Sequence, residues 1–144
     1  MEFYINNIFV SHDVNVSVRD VKQGIILNWL HSSDRLYTVI LYEHRVTNHA
    51  IIRDYNYSCY PIHWLVVNIP SDQIVLADTI YDYLEPTLIN NQTGTYYLEI
   101  HIQKEHIPPE AELFTTNRNE FAVSYLLGQY DLDFYLGTCF RVIP

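Results

Sequence analysis

Apolar residues along the chain gather in short runs separated by polar stretches. Leu36–Glu43 (LYTVILYE) is rich in β-branched and aromatic residues and apolar on both faces, which predicts a central strand. Ile62–Ile69 (IHWLVVNI) is a second such run, bounded by Pro61 and Pro70; proline belongs at strand ends because it cannot donate to a ladder. Tyr96–Gln103 (YYLEIHIQ) alternates instead. Tyr96, Leu98, Ile100 and Ile102 share one face, and Tyr97, Glu99, His101 and Gln103 share the other, which reads as the solvated side. His106 is expected in solvent as well. Ile25–Leu30, Gly137–Ile143 and parts of Glu2–Val18 complete the predicted strands.

Helical spacing is confined to two stretches. Ser124–Tyr130 predicts a short helix with Ser124 as its N-cap. Ile74–Leu84 has the spacing (Ile74, Ala77, Tyr81, Leu84), but Asp78, Thr79, Asp82 and Tyr83 are poor helix formers and argue against it. Short strands joined by long polar connections, with no repeat or linker, predict a mainly β sandwich in one domain spanning residues 1–144.

Composition narrows the function classes. Apolar residues make up 49% of the 144, enough for a core without staples. The formal charge is −9, from 8 Lys+Arg against 17 Asp+Glu, with no basic run longer than two. Nucleic-acid binding rests on clustered cations displacing counterions, so this balance argues against it. Two cysteines, Cys59 and Cys139, make neither a disulfide framework nor a metal spacing. The start MEFYINNIFV lacks the basic n-region of a secretion signal, and no apolar stretch approaches the ~20 residues of a membrane helix. The expectation is a soluble, cytoplasmic protein. On that expectation the N-x-S/T triplets at Asn15, Asn56 and Asn91 carry no meaning. The plentiful Tyr, Ile and Asn fit an AT-rich genome, a viral one included; host cytoplasm or virion would then be the location.

Seven histidines raise the question of a metal, but they show no paired ligand spacing. His44 and His49 fall in a loop-like stretch after the first central run. His63, between Ile62 and Trp64 in an apolar strand, is either a satisfied core histidine or the floor of a small polar pocket donating to an anion. Glu43 and Arg45, two apart, are either a surface ion pair or rim groups of that pocket. Asp78 and Asp82 read as solvated. The thirteen tyrosines fill a β core or line a recognition surface. No nucleophile elbow, P-loop or HExxH motif is present.

Four segments in register, LYTVILYEHRV, CYPIHWLVVNIP, TGTYYLEIHIQ and NRNEFAVSYLLGQYDLDFYLGTCF, resemble the phosphatidylethanolamine-binding protein family. That family includes the Raf kinase inhibitor proteins and the plant flowering-time regulators. The resemblance covers roughly Ile25 to Val142 and is most specific at IHWLVVNIP. It implies a Greek-key antiparallel β-sandwich with a small anion pocket at one end for phosphate or a phospholipid headgroup. In the family the pocket is built from a D-P-D-x-P turn, a histidine in an H-W/F-x-V segment and a G-x-H-R turn. His63 falls on that histidine, and Glu43 on the first Asp.

The departures are as informative. Arg45 stands at the second Asp, and His44 and Thr47 replace both prolines. The second pocket histidine is missing, because Thr93-Gly94-Thr95 leads straight into Tyr96, itself an aromatic position used beside the ligand. The chain stops at Pro144, so the resemblance implies a member without the C-terminal helix that flanks the pocket.

Family members act by binding rather than catalysis. The expectation is therefore a non-enzymatic binding protein with a degenerate anion pocket and no cofactor, working through contacts with a protein partner in viral assembly or host signalling. The alternative is a phosphate or headgroup binder whose site is rebuilt around His63, Glu43, Arg45 and Tyr96.

Overall fold

The computed structural model describes residues 2–5, 8–9 and 13–144. It contains β1 (Glu2–Ile5), β2 (Ile8–Phe9), β3 (Val14–Ser17), β4 (Ile25–Asn28), β5 (Leu36–Glu43), β6 (Asn48–Ile52) and β7 (Tyr55–Cys59). These are followed by β8 (Ile62–Pro70), β9 (Asp78–Tyr81), β10 (Gly94–Gln103), the helix α1 (Val123–Gln129) and β11 (Asp133–Ile143). Six strands form one sheet in the order β3-β11-β10-β5-β8-β9, and β2-β1-β4 form a second. The central pairings are antiparallel; β3 joins β11 in parallel. β6 and β7 make a separate hairpin.

The two predicted double-sided runs are the central strands β5 and β8, paired with each other. Both faces of the large sheet are covered, which is why these strands show no alternation. Val39, Leu41, Val66, Leu98 and Ile100 pack on one face with Ile25, Leu27 and Trp29 of the smaller sheet's side. Ile40, Leu65 and Val67 pack on the other against Ile107, Phe121, Val123 and Leu126, supplied by α1 and the chain ahead of it.

Three expectations are overturned. On the face read as solvated, His101 is 2% exposed beneath the Phe134 ring of β11 at 5.6 Å, and Gln103 is 5% exposed, bonded to Asn68 and the Glu105 carbonyl. Ala122, not Ser124, occupies the N-cap position, with no side-chain cap; Ser124 lies one residue inside the helix and is exposed. The stretch around His49 is not a loop but β6, paired with β7 in a hairpin; Ile74–Leu76 is a 3-10 turn leading into β9. His106 is exposed as expected. The β-sandwich itself holds.

Candidate site at the end of the large sheet

β5, β8 and β10 lie side by side, and their register brings the four candidate residues to one end of the sheet. Glu43 is the last residue of β5 and pairs directly with Tyr96 of β10. Beyond it the chain turns sharply, with the Arg45 amide donating to the Glu43 carbonyl at 2.8 Å. This turn folds the Arg45 side chain back on the carboxylate. Nε donates to Oε1 and Nη2 to Oε2, both at 3.0 Å. The fork is a parallel bidentate pair, the strongest geometry the two groups offer. Glu43 is 8% exposed, and its hydrogen bonds hold the Arg45 guanidinium above its ordinary pKa.

His63 on β8 is 6% exposed. Its Nδ1 donates to the Leu84 carbonyl at 2.9 Å, and the Leu84 amide donates back to the His63 carbonyl at 2.7 Å. A carbonyl only accepts, so the proton sits on Nδ1 and neutral His63 presents a bare lone pair at Nε2. Burial pushes the His63 pKa below its ordinary value, with Arg118 and Arg45 acting in the same direction against Leu84 and Glu43. The ring therefore supplies no positive charge at neutral pH.

Tyr96 is fully buried between His63, edge to face at 5.2 Å, and Phe140, stacked at 5.9 Å. Its hydroxyl has no hydrogen-bond partner among the described residues. Burial, followed by the Glu43 charge, pushes its pKa well up. Gly94 makes room for this ring: a Cβ there would lie 2.9 Å from Tyr96 Cε2 and 3.3 Å from its hydroxyl oxygen. A small cavity of about 130 Å³ is lined by Glu43, Arg45 and Gly94 with Leu88, Ile89 and Gln92. His63 and Tyr96 lie behind it rather than on its wall. A larger cleft of about 400 Å³, between the β6–β7 hairpin tip and α1 (Ile52, Arg53, Tyr125, Tyr130), involves none of the four.

Two contributors escaped the sequence reading. The segment from Thr87 to Thr93 closes the cavity, and nothing in its composition distinguishes it from a loop. Arg118 donates from Nε to the Ile62 carbonyl at 3.1 Å and from Nη2 to the Asp82 carbonyl at 2.7 Å, with its guanidinium 5.4 Å from the Tyr81 ring centre. It thereby fixes the Asp82–Leu84 segment that orients His63. A lone cation just ahead of an apolar helix, in a chain this poor in cations, was the available signal. Among the described residues no three His, Cys, Asp or Glu side chains converge as metal ligands, and no helix is long and apolar enough to cross a membrane.

The fold resembles that of solved phosphatidylethanolamine-binding proteins. The chain superposes over 99% of its length on carboxypeptidase Y inhibitor, solved with its cognate proteinase, at a TM-score of 0.70 and 9% identity, covering 81% of that chain. It superposes over 99% on the solution structure of the protein CG7054, at 0.71 and 17% identity, covering 83%. The phosphatidylethanolamine-binding protein of Plasmodium vivax is similar over 98% of this chain and 84% of its own, at 0.62 and 12% identity. No family model matches the sequence, and no curated protein matches it.

Proposed function

We propose that this chain is a non-catalytic binding protein that acts through protein contacts, its anion pocket closed by its own Glu43–Arg45 pair. The observation that carries this reading is the bidentate fork itself. The cation best suited to grip a phosphate is already matched by a buried carboxylate. His63, behind the pocket, is neutral, and the −9 charge repels anions at long range. Both cysteine thiols are buried and pushed up in pKa by that burial, which makes them poor nucleophiles and fits a reducing, cytoplasmic setting. A fold neighbour, carboxypeptidase Y inhibitor, was solved in complex with its cognate proteinase, which supports this reading. The second reading, a rebuilt site for phosphate or a phospholipid headgroup, is favoured by one observation: the unpartnered Tyr96 hydroxyl beside Gly94.

Thermal shift with inorganic phosphate and phosphoethanolamine tests the choice, since a ligand that binds the native state raises its stability. The expected result is no rise in Tm for the wild type at about ten millimolar ligand and a rise for Glu43→Gln, in which Arg45 is released. A wild-type rise that Arg45→Met abolishes overturns the proposal in favour of the anion binder.

A further inference from the structure

The opposite face of the same sheet carries a second constellation. Along β10, Tyr97, Glu99 and His101 point away from Tyr96, and they pair across to Cys139, Gly137 and Phe134 of β11. Gly137 leaves a gap over the Glu99 position, which the Phe134 ring overhangs: a Cβ at residue 137 would meet Phe134 Cε2 at 2.8 Å. The result is a cleft of about 220 Å³, lined by Tyr97, Glu99, Phe134, Gly137, Thr138 and Cys139. Phe134 is 61% exposed and so is the outer wall of the cleft.

The Glu99 carboxylate is held in place from two sides. Tyr42 donates its hydroxyl to Oε2 at 3.2 Å, and His101 Nε2 lies 3.0 Å from Oε1. Burial and the Glu99 charge push the Tyr42 pKa well up, so its proton stays on the phenol. Each carboxylate oxygen keeps a lone pair for a further donor. Tyr97 stacks on Tyr42 at 5.5 Å and meets His44 edge to face at 5.1 Å, which stiffens the inner wall. Asp13 adds negative charge beside Tyr97 and Cys139, offset by Arg141 at 3.6 Å from it.

A fixed carboxylate between two aromatic walls is matched by a planar cation, which stacks on the rings while its N–H groups reach the oxygens. The geometry points to this cleft as the seat of an arginine side chain of a protein partner. This rests on the protein-contact reading above. Charge complementarity supports the choice of occupant: the acidic chain attracts basic surfaces.

The test is NMR titration of the full chain with N-acetyl-arginine amide, with the lysine and uncharged citrulline counterparts as controls. The arginine probe is expected to shift the amide resonances of Glu99, Gly137 and Cys139 saturably and citrulline to leave them unmoved. Glu99→Gln, which removes a charge-assisted contact, and the surface variant Phe134→Ala, which removes a stacking wall, should each weaken binding by about tenfold. No saturable shift, an equal response to citrulline, equal binding of lysine, or binding unchanged in both variants overturns the assignment. The phosphate test reads Glu43 and Arg45 on the other face, so failure of either idea is seen separately.

Discussion

Tyr96 lies edge-on to His63 with 5.2 Å between ring centres, and its buried hydroxyl has no hydrogen-bond partner among the described residues. An unpaired buried hydroxyl costs about 1–3 kcal/mol. Tyr96→Phe keeps the ring and its stacking on Phe140 while removing that cost. Urea denaturation should show the variant as stable as the wild type or more so. A clear loss of stability would mean that a water or an anion holds the hydroxyl, which favours the headgroup reading.

His63 makes stability depend on pH in a definite direction. Its folded pKa lies below its unfolded value near 6.5, chiefly through burial. Between the two values the unfolded chain binds the proton and the folded one does not, so acidification favours unfolding. The His63 contribution is therefore complete above about pH 6.5 and declines as pH falls toward the folded pKa. Urea midpoints from pH 7.5 down to 5 should decline less steeply for His63→Gln than for the wild type. Parallel curves would show that other groups set the slope.

Much of this arrangement was legible in the sequence because its cause is local. The runs around Leu36 and Ile62 read as central strands, since burial on both faces leaves no room for polar alternation. Glu43 and Arg45 pair, though through a turn that ends β5 rather than a shared strand face. The β6–β7 hairpin escaped because its pattern is weak and mostly exposed. His101 escaped for a different reason: the ring that covers it, Phe134 of β11 at 5.6 Å, arrives from elsewhere in the chain. Glu99 partners its Nε2, while its Nδ1 has no partner among the described residues, and alternation along β10 alone cannot reveal that cover.

The Glu43–Arg45 pair should be measurable as a coupling. Arg45 is 44% exposed at its side chain, so solvent screening keeps the interaction to about 1 kcal/mol or less. Removing Arg45 alone leaves a mostly buried carboxylate without its fork. Arg45→Met is therefore expected to destabilise more than the double change Glu43→Gln/Arg45→Met does relative to Glu43→Gln. A double-mutant cycle by urea denaturation checks this; a coupling of zero would mean that the fork is not populated in solution.

The largest single-residue effect is expected at Asn68. This residue sits within β8 at a left-handed φ of 60°, a conformation asparagine tolerates better than most residues. Its side-chain oxygen accepts from the Ile107 amide at 2.8 Å and from Gln103 Nε2 at 2.9 Å. Its Nδ2 donates to the Ile107 carbonyl at 2.7 Å and to Asp78 at 2.9 Å. These four bonds fasten the second layer to the sheet. Asn68→Ala orphans buried groups at Ile107 and Gln103 together, with an expected loss of about 3–5 kcal/mol in urea. Asn68→Asp retains the acceptors but loses the donor to Ile107 and sets a carboxylate beside Asp78. Burial and that neighbour raise the folded pKa of the new group, so the native state takes up the proton first. Asn68→Asp should therefore regain part of its loss relative to the wild type as pH falls from 7 toward 5, the reverse of the His63 trend, while Asn68→Ala should not.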